Sequence, residues 1–296
     1  MIEPRDATVR TWVAGLRAGS PHTARSYQDA VERFLAYVAK PVEVVTVQDA
    51  MAYIGTLADS GLARASVAHH ISAVRSFLRH CQALGIVPQS PLDALRRPRV
   101  SITSMNRYLT VEECQRLLPG ARQVSRGAHA TVAILLGTGL RVAELAAAQW
   151  RHLFEDPQGN IGLLIVNGKG GKERVVAIRD DLWGILVGER ERRGLSTELS
   201  ATDTSPLVAG REGAAPSTMT LWRWVRASAH AAGIDKPLSP HWLRHTFGTL
   251  TALGGANVFQ IQRDMGHAQI TTSQRYVHWA RGLADSAAHK LPIDLA

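Results

Sequence analysis

The sequence contains only two cysteines and no long run of uncharged apolar residues. Cys81 and Cys114 lie far apart and belong to no paired motif, so neither a disulfide framework nor a cysteine metal site is indicated. No stretch reaches the roughly 18 consecutive apolar residues of a membrane span. The opening segment, MIEPRDATVR, lacks the apolar core of a signal peptide. We therefore expect a cytoplasmic protein.

Acidic residues are outnumbered along the whole chain. There are 34 lysines and arginines against 25 aspartates and glutamates, which gives a formal net charge of +9. The excess is present both in the first hundred residues and in the remainder, and it favours a polyanionic partner such as nucleic acid. An anionic membrane surface also suits this charge, but no lysine-rich amphipathic helix supports that alternative.

The first hundred residues have apolar side chains at helical spacing. In TARSYQDAVERFLAYVA the apolar positions recur every three or four residues, and Thr46 with Asp49 resembles a capping pair before the next helical segment. A third helix is predicted in ASVAHHISAVRSFLRHCQALG. The basic segment LRRPRVS that follows has the composition of an exposed linker. These patterns predict a helical N-terminal domain over residues 1–102.

A second domain is predicted over residues 103–296, including a C-terminal tail. Thr110 and Glu113 form a capping box at its first helix, and helical spacing predominates afterwards. The one convincing strand signal is GLLIVNGKGGKERVVAI, which predicts a hairpin with Lys169 and Lys172 at or near its tip. The expected fold class is mainly α with one small antiparallel sheet.

The segment SPHWLRHTFG places His241, Arg244 and His245 at positions i, i+3 and i+4 of a predicted helix, so all three share one face. Two histidines at this spacing can bind zinc, but Trp242 stands where zinc peptidases carry a glutamate. Arg244 would also repel a metal ion, and no acidic residue lies between Lys236 and Asp264. The surplus positive charge favours a bound anion, for which phosphate is the obvious candidate. A solvated polar face is the plainer alternative.

Five short motifs, one of them on this predicted helix and the others before and after it in the chain, form a recognisable set. The residues in these motifs that carry chemistry are Arg141 in GTGLRVAEL, Lys169 in GKGGKERVV, His241 and Arg244 in HWLRH, His267 in GH, and Tyr276 in QRYVH. In this order they resemble the tyrosine recombinase (phage integrase) family, over roughly residues 107–279. The helical first domain resembles that family's SAM-like core-binding domain. The resemblance implies an α+β catalytic domain in which these six residues are catalytic.

The chemistry of the six residues is consistent with that implication. A tyrosine hydroxyl with a pKa of about 10 is a poor nucleophile and needs a base or a strongly positive site. Arg141 and Arg244 can stabilise the extra charge of a phosphorane-like transition state, because each guanidinium offers a two-pronged contact. The resemblance implies that Lys169 protonates the leaving 5′ oxygen, and Lys172 in the same turn is a rival for this role.

The histidines and one acid complete the implied site. The resemblance implies that His241 accepts the tyrosine proton and that His267 donates a hydrogen bond to the scissile phosphate. It also implies supporting roles for His245 and Glu144, although a core histidine and an ordinary helix acid are the plainer interpretations of these two residues.

The implied function is site-specific DNA recombination through a 3′-phosphotyrosyl intermediate at Tyr276. The covalent link keeps the phosphodiester energy, so we expect no ATP, metal or other cofactor, and the chain has no GxxxxGK[ST] loop. The implied partners are double-stranded DNA sites and a tetramer of this chain or of related recombinases, with the tail docked on a neighbouring subunit. Arg64, Arg75 and Arg79 of the third helix, together with Lys172, are expected to contact DNA.

Three alternatives remain open from the sequence. A type IB topoisomerase shares the tyrosine, arginines and lysine but relaxes supercoils as a monomer. A DNA-binding regulator without catalysis would bind a site and form no covalent adduct. A metal-dependent nuclease built on the histidines would lose its activity in EDTA.

Overall fold

The computed structural model describes residues 4–19, 21–88, 90, 92–93, 107–166 and 173–281. The chain divides into two compact units, Met1–Ile102 and Thr103–Ala296. None of the helices in the described ranges combines the length and apolar character needed to cross a bilayer. Lys169, Lys172 and the C-terminal tail beyond residue 281 lie outside the described residues.

The first unit is helical. Its helices are α1 (Pro4–Gly19), α2 (Pro21–Val38), α3 (Val47–Asp59) and α4 (Arg64–Ala83). Thr46 accepts from the backbone N–H of Asp49 and the Asp49 carboxylate accepts from that of Thr46, which confirms the expected capping pair at α3. The apolar faces of α2 and α4 meet around the fully buried rings of Phe34 and Phe77. Burial of each such side chain contributes about 1.5–3 kcal/mol, which offsets the entropy lost by ordering the helices.

The second unit combines eight further described helices with a three-stranded sheet. The helices are α5 (Val111–Val124), α6 (Arg126–Thr138), α7 (Val142–Ala147), α8 (Asp180–Arg192), α9 (Thr218–Ala231), α10 (Pro240–Leu253), α11 (Val258–Met265) and α12 (Ile270–Arg281). The strands are β1 (Leu153–Glu155), β2 (Ile161–Val166) and β3 (Glu173–Ile178), in the order β1-β2-β3 with antiparallel pairing throughout. The expected fold class, mainly α with one small antiparallel sheet, is confirmed.

The sheet extends the predicted hairpin by one short strand. Strands β2 and β3 pair in register from Ile161 with Ile178 to Val166 with Glu173, so the two ends flank residues 167–172. Strand β1 pairs with the other edge of β2 and was not predicted. Three residues are too few to show the period of two that identifies a strand in sequence.

Helix α6 is the centre of the second unit. It is apolar and buried on most of its faces, including Val132, Ile134 and Leu135, because α5, α8, α9 and α10 surround it. The helix ends at Gly139, which adopts a left-handed conformation with φ of 64°. A β-carbon at Gly139 would collide with the ring of Phe247 on α10. This tight turn packs against α10 and leads into α7.

Candidate active site

Helix α10 carries the expected cationic face. It begins at Pro240, a residue that suits the first helical position, and it places His241, Arg244 and His245 on one stripe as predicted. Arg244 is only 3% exposed. Its guanidinium donates to the carbonyl oxygens of Gly139 at 2.6 Å and Met265 at 2.5 Å. Burial and neighbouring Arg141 lower the pKa of Arg244 to about 10, so it remains a cation at neutral pH.

Arg141 lies at the other side of the same cluster, immediately before α7. The left-handed turn at Gly139 brings it there, and its guanidinium donates to Glu144 at 2.8 Å and to the carbonyl of Gly266 at 3.2 Å. The Arg141 side chain is 45% exposed. Two elements therefore hold this guanidinium while part of it stays open to a ligand.

Glu144 is the acid that anchors Arg141. Its carboxylate also accepts two hydrogen bonds from Arg174 of β3, at 2.9 and 2.7 Å, and one from the backbone N–H of Arg141 at 2.8 Å. Burial opposes ionisation of Glu144, but the bonds from Arg174 and from the Arg141 backbone outweigh it and lower its pKa to about 2. Glu144 is therefore a permanent anion that neutralises part of the cationic cluster.

Tyr276 projects from α12 toward α10. Its hydroxyl lies 2.7 Å from Nδ1 of His245. The ring packs against Gly248, where a β-carbon would lie 3.0 Å from the Cε2 and Cζ atoms of the ring. The His267 ring lies nearly parallel to the tyrosine ring, with centroids 6.1 Å apart. Burial raises the pKa of Tyr276, although the nearby charge of Arg244 works in the opposite direction.

His267 is held at the end of α11. Gly266 ends that helix with a left-handed φ of 62°, and Nδ1 of His267 then lies 2.8 Å from the hydroxyl of Ser273. Burial and the cations Arg244 and Arg141 lower the pKa of His267 to about 4. The imidazole is therefore neutral at physiological pH.

The two histidines of α10 are also neutral by the same physics. Burial, His241 and Arg244 lower the pKa of His245 to about 4. Partial burial, Arg244 and Arg107 lower the pKa of His241. The two rings meet edge to face with centroids 4.3 Å apart. A neutral imidazole can accept a proton, so both residues keep the protonation state that a base requires.

Five of the six expected catalytic residues converge in the described structure. They are Arg141, His241, Arg244, His267 and Tyr276, and the two expected supports, Glu144 and His245, lie among them. The arrangement differs from the expectation in one contact, since the tyrosine hydroxyl meets His245 and not His241. The cluster can hold an anion beside a phenol whose hydroxyl touches a neutral base.

Sequence reasoning missed two contributors to this cluster. Arg174 stands in the quoted hairpin motif GKGGKERVV, where only the lysines were considered. Its position after a turn, facing the same side as an apolar strand residue, could have singled it out. Gly248 lies two helical turns after His241 on the same face, and a glycine inside a helix is a signal of close packing.

The three arginines of the first unit that are predicted to contact DNA differ in their exposure. Arg64 is exposed at the start of α4. Arg79 is exposed too, and its Nε lies 3.0 Å from an Asp93 oxygen. Arg75, by contrast, is only 5% exposed and donates to the carbonyl of Leu92 at 3.0 Å. The guanidinium of Arg75 is thus engaged inside the unit, which argues against the expected DNA contact of Arg75, while the contacts of Arg64 and Arg79 stay predictions.

Comparison with known proteins adds independent information. Residues 107–282 match the phage integrase family, and residues 11–83 match the phage integrase N-terminal SAM-like domain. The chain is 32% identical over 292 residues to the tyrosine recombinase XerD of Chlorobaculum tepidum, with 93% of each chain covered. It is 30% identical over 277 residues to the tyrosine recombinase XerC of Pelobacter propionicus, covering 88% of this chain and 85% of that protein.

Solved structures show the same fold at lower identity. A lambda integrase dimer bound to a COC′ core site has a TM-score of 0.74 and 18% identity, with 98% of this chain and 99% of that chain covered. The post-cleavage complex of the XerH site-specific recombinase with its palindromic difH substrate has a TM-score of 0.72 and 19% identity, with 90% of this chain and 78% of that chain covered. From the family match and the identity to these relatives over most of its length, the chain belongs to the phage integrase family of tyrosine recombinases.

Proposed function

We propose that this chain recombines DNA at specific sites by cutting and rejoining strands through a covalent 3′ link at Tyr276. One observation carries the proposal: the Tyr276 hydroxyl touches a neutral histidine in the pocket that also contains Arg141 and Arg244. The pocket thus combines a nucleophile, a base and two cations that can bind an anion, which are the groups that phosphodiester cleavage requires.

The scissile phosphate would bind between the two arginines. Arg141 is half exposed and keeps donors free of its protein contacts, and Arg244 presents a fixed charge from the pocket wall. His241 lies near the cations Arg244, Arg107 and Arg141, and His267 near Arg244 and Arg141, so both imidazoles lie on the side where an anion is favoured. In the transition state these groups would stabilise the charge that builds on the non-bridging oxygens.

The cleavage step balances without an external reagent. The Tyr276 oxygen forms a bond to phosphorus, the bond from phosphorus to the 5′ oxygen breaks, and the phenolic proton passes to a histidine. The 2.7 Å contact favours His245 as the first acceptor, which leaves His241 for the phosphate. The 5′ oxygen takes a proton from Lys169 or Lys172. A 5′ hydroxyl of a partner strand then attacks the phosphotyrosine and restores the phosphodiester, so neither ATP nor a metal enters the scheme.

The proposed setting is a DNA complex of several subunits. We propose double-stranded recombination sites as the partner and a tetramer of this chain, or of this chain with a related recombinase, as the active assembly. Residues 1–102 would bind the core DNA site, with Arg64 and Arg79 as candidate contacts, and residues 103–296 would perform the chemistry. We place the protein in the cytoplasm, where its DNA substrate would be.

The alternatives are less well supported. A type IB topoisomerase is not favoured, because the relatives that cover most of the chain are named recombinases. A nuclease with a metal on the two α10 histidines conflicts with the cations around them, since Arg244 lies on the same stripe.

A nicked suicide substrate tests the proposal. Duplexes made from the DNA that flanks the coding gene would be nicked near each candidate cleavage position, so that cleavage releases a short fragment and traps the adduct. We expect the unaltered protein to form a denaturation-resistant conjugate and Tyr276→Phe to form none. Tyr37→Phe, at an exposed tyrosine of the first unit, is the matched control and should behave as the unaltered protein. DNA binding by the unaltered protein without any conjugate would favour a DNA-binding regulator without catalysis. A conjugate formed by Tyr276→Phe would show that another residue is the nucleophile.

A further inference from the structure

Arg174 connects three separate parts of the second unit. It stands on β3, one residue after the strand begins, and its side chain is 7% exposed. Its Nη1 and Nη2 donate to the two oxygens of Glu144 at 2.9 and 2.7 Å, and its Nε donates to the carbonyl of Asp264 at 3.0 Å. Each of the three nitrogens of this buried guanidinium thus donates to a group that supports the anion site.

We infer that Arg174 is the positioning residue that keeps Arg141 aimed at the scissile phosphate. This inference rests on the proposed function. Arg174 does not itself touch the phosphate in this scheme, because its donors are engaged by Glu144 and Asp264. It acts through the two groups that hold Arg141.

The first of these groups is Glu144. Its carboxylate accepts four hydrogen bonds, two from Arg174, one from the Arg141 guanidinium and one from the Arg141 backbone. A paired, two-pronged contact with a guanidinium fixes the plane of a carboxylate. Without Arg174 the buried Glu144 carboxylate would keep, among the described residues, only its two bonds from Arg141 itself. No group outside residue 141 in the described part of the chain would then fix the plane of the carboxylate, so the anchor of Arg141 would be weaker and less well oriented.

The second group is the carbonyl of Gly266, which accepts the other hydrogen bond of Arg141 at 3.2 Å. A β-carbon at Gly266 would lie 3.0 Å from Cδ and Nη1 of Arg174, so the Arg174 side chain packs directly against this turn. The bond from Arg174 to the Asp264 carbonyl holds the preceding turn of the same segment. Both protein contacts of the Arg141 guanidinium therefore depend on Arg174.

A competing role follows from the position of Arg174 on the hairpin. Strand β3 begins just beyond residues 167–172, so loss of Arg174 could instead displace the hairpin lysines that would protonate the leaving group. The two roles predict different chemical rescue. If the variant stabilises the phosphate charge poorly, a substrate whose scissile phosphate lacks one negative charge should restore cleavage. If the variant protonates the leaving group poorly, a thiolate leaving group, which needs no proton, should restore cleavage instead.

The experiment uses Arg174→Gln and Arg174→Lys in the full-length protein, with Arg179→Gln as the matched control. The Arg179 side chain is 76% exposed and pairs with the exposed Asp181. Single-turnover cleavage would be measured on three nicked substrates: the natural phosphodiester, a methylphosphonate at the scissile position, and a 5′-bridging phosphorothiolate. Site binding would be measured in parallel by gel shift.

We expect Arg174→Gln to slow phosphodiester cleavage about 100-fold, in line with the loss of one transition-state donor, while binding changes less than about threefold. The deficit relative to the unaltered protein should shrink at least about tenfold on the methylphosphonate and persist on the phosphorothiolate. Arg174→Lys should resemble Arg174→Gln, because an ammonium cannot hold both Glu144 oxygens and Asp264.

A double-variant cycle covers the case in which Arg174 variants are less stable. Adding Arg174→Gln to Arg141→Lys should cost little further cleavage if Arg174 acts through Arg141. Independent, additive losses would overturn the inference, as would rescue by the phosphorothiolate or behaviour equal to that of Arg179→Gln. A rate deficit that is unchanged on all three substrates would assign Arg174 a purely structural role and also overturn it. Failure of the unaltered protein to form any adduct would instead reject the proposed function itself.

Discussion

The Tyr276 hydroxyl and Nδ1 of His245 are 2.7 Å apart, although the two residues are 31 positions apart in the chain and stand on different helices. This contact pairs the proposed nucleophile with an imidazole whose pKa is about 4. Burial raises the tyrosine pKa, so little phenolate exists at neutral pH and the hydroxyl needs a base within reach. In the proposed scheme His245 is that base, and the contact distinguishes the two histidines of α10 in a way that an experiment can check.

His245→Asn should slow single-turnover cleavage about 100-fold or more at neutral pH, the usual contribution of a positioned base. Hydroxide must then remove the phenolic proton, so the rate of this variant should rise with pH between about pH 6 and 9. His241→Asn should also be slow but keep the shallow pH profile of the unaltered protein, because its proposed partner is the phosphate. If only His241→Asn showed a steep dependence of cleavage rate on pH, His241 would be the acceptor of the tyrosine proton, as the family resemblance implied.

Gly248→Ala should displace the Tyr276 ring. The new methyl group would lie 3.0 Å from Cε2 and Cζ of the ring and from the Met265 sulfur, closer than carbon contacts normally approach. We expect cleavage to fall by about tenfold or more, equivalent to about 1.4 kcal/mol, with site binding unchanged. Gly184→Ala is the control, since nothing lies within 4 Å of its added β-carbon on α8. It should stabilise the helix by about 0.5–1 kcal/mol. Equal cleavage by both variants would show that the ring has room to move.

Arg141→Lys should impair cleavage more than DNA binding. The guanidinium contacts Glu144 and the Gly266 carbonyl and still offers further donors to a phosphate, whereas an ammonium cannot reproduce this geometry. We expect the cleavage rate to fall about 10²–10³-fold, as for the loss of an oxyanion-hole donor, with less than about a threefold change in binding by gel shift. Equal losses of binding and cleavage would contradict the assignment of Arg141 to the transition state.

The stability of the chain should decrease as the pH falls from 6.5 to about 4. The pKa values of His245 and His267 are lowered to about 4 in the folded protein, so in this window the unfolded chain binds protons that the folded chain does not. The ionisation of Glu144 does not contribute to this slope, because its stabilising effect is complete above pH 4.5. That effect is lost only as the pH falls toward the folded pKa of Glu144, about 2. Urea midpoints between about pH 7 and 5 measure the slope. His245→Asn and His267→Asn should make it shallower, and unchanged slopes in both variants would refute the expectation.

Arg75→Ala should cost stability and leave site preference unchanged. The buried guanidinium donates to Leu92, so its loss should lower the free energy of unfolding by about 1–3 kcal/mol. Arg79→Ala is the matched control on the same helix, because its ion pair with Asp93 is exposed and worth about 1 kcal/mol or less. Urea denaturation and competitive gel shifts on altered sites would separate the two effects. A changed base preference in Arg75→Ala with unchanged stability would instead support a DNA contact of Arg75.

The features that depend on neighbours within one helix or one turn could be predicted from the amino-acid order alone. The shared face of His241, Arg244 and His245 follows from the period of the helix, and the capping residues Thr46 and Thr110 mark where helices begin. The hairpin and the mainly helical class follow from apolar periodicity in the same way. The order of the motifs also sufficed to indicate the family.

The contacts between side chains on different elements could be identified only from the packed fold. Periodicity identifies a buried face but not its partner, so it could not show that Tyr276 meets His245, and the family resemblance indicated His241 instead. The pairing of Arg174 with Glu144 joins residues 30 positions apart, and the burial of Arg75 depends on where the segment at Leu92 returns. Such contacts are set by how whole elements pack, because the free energy gained by burying many apolar side chains outweighs the preference of any one polar residue.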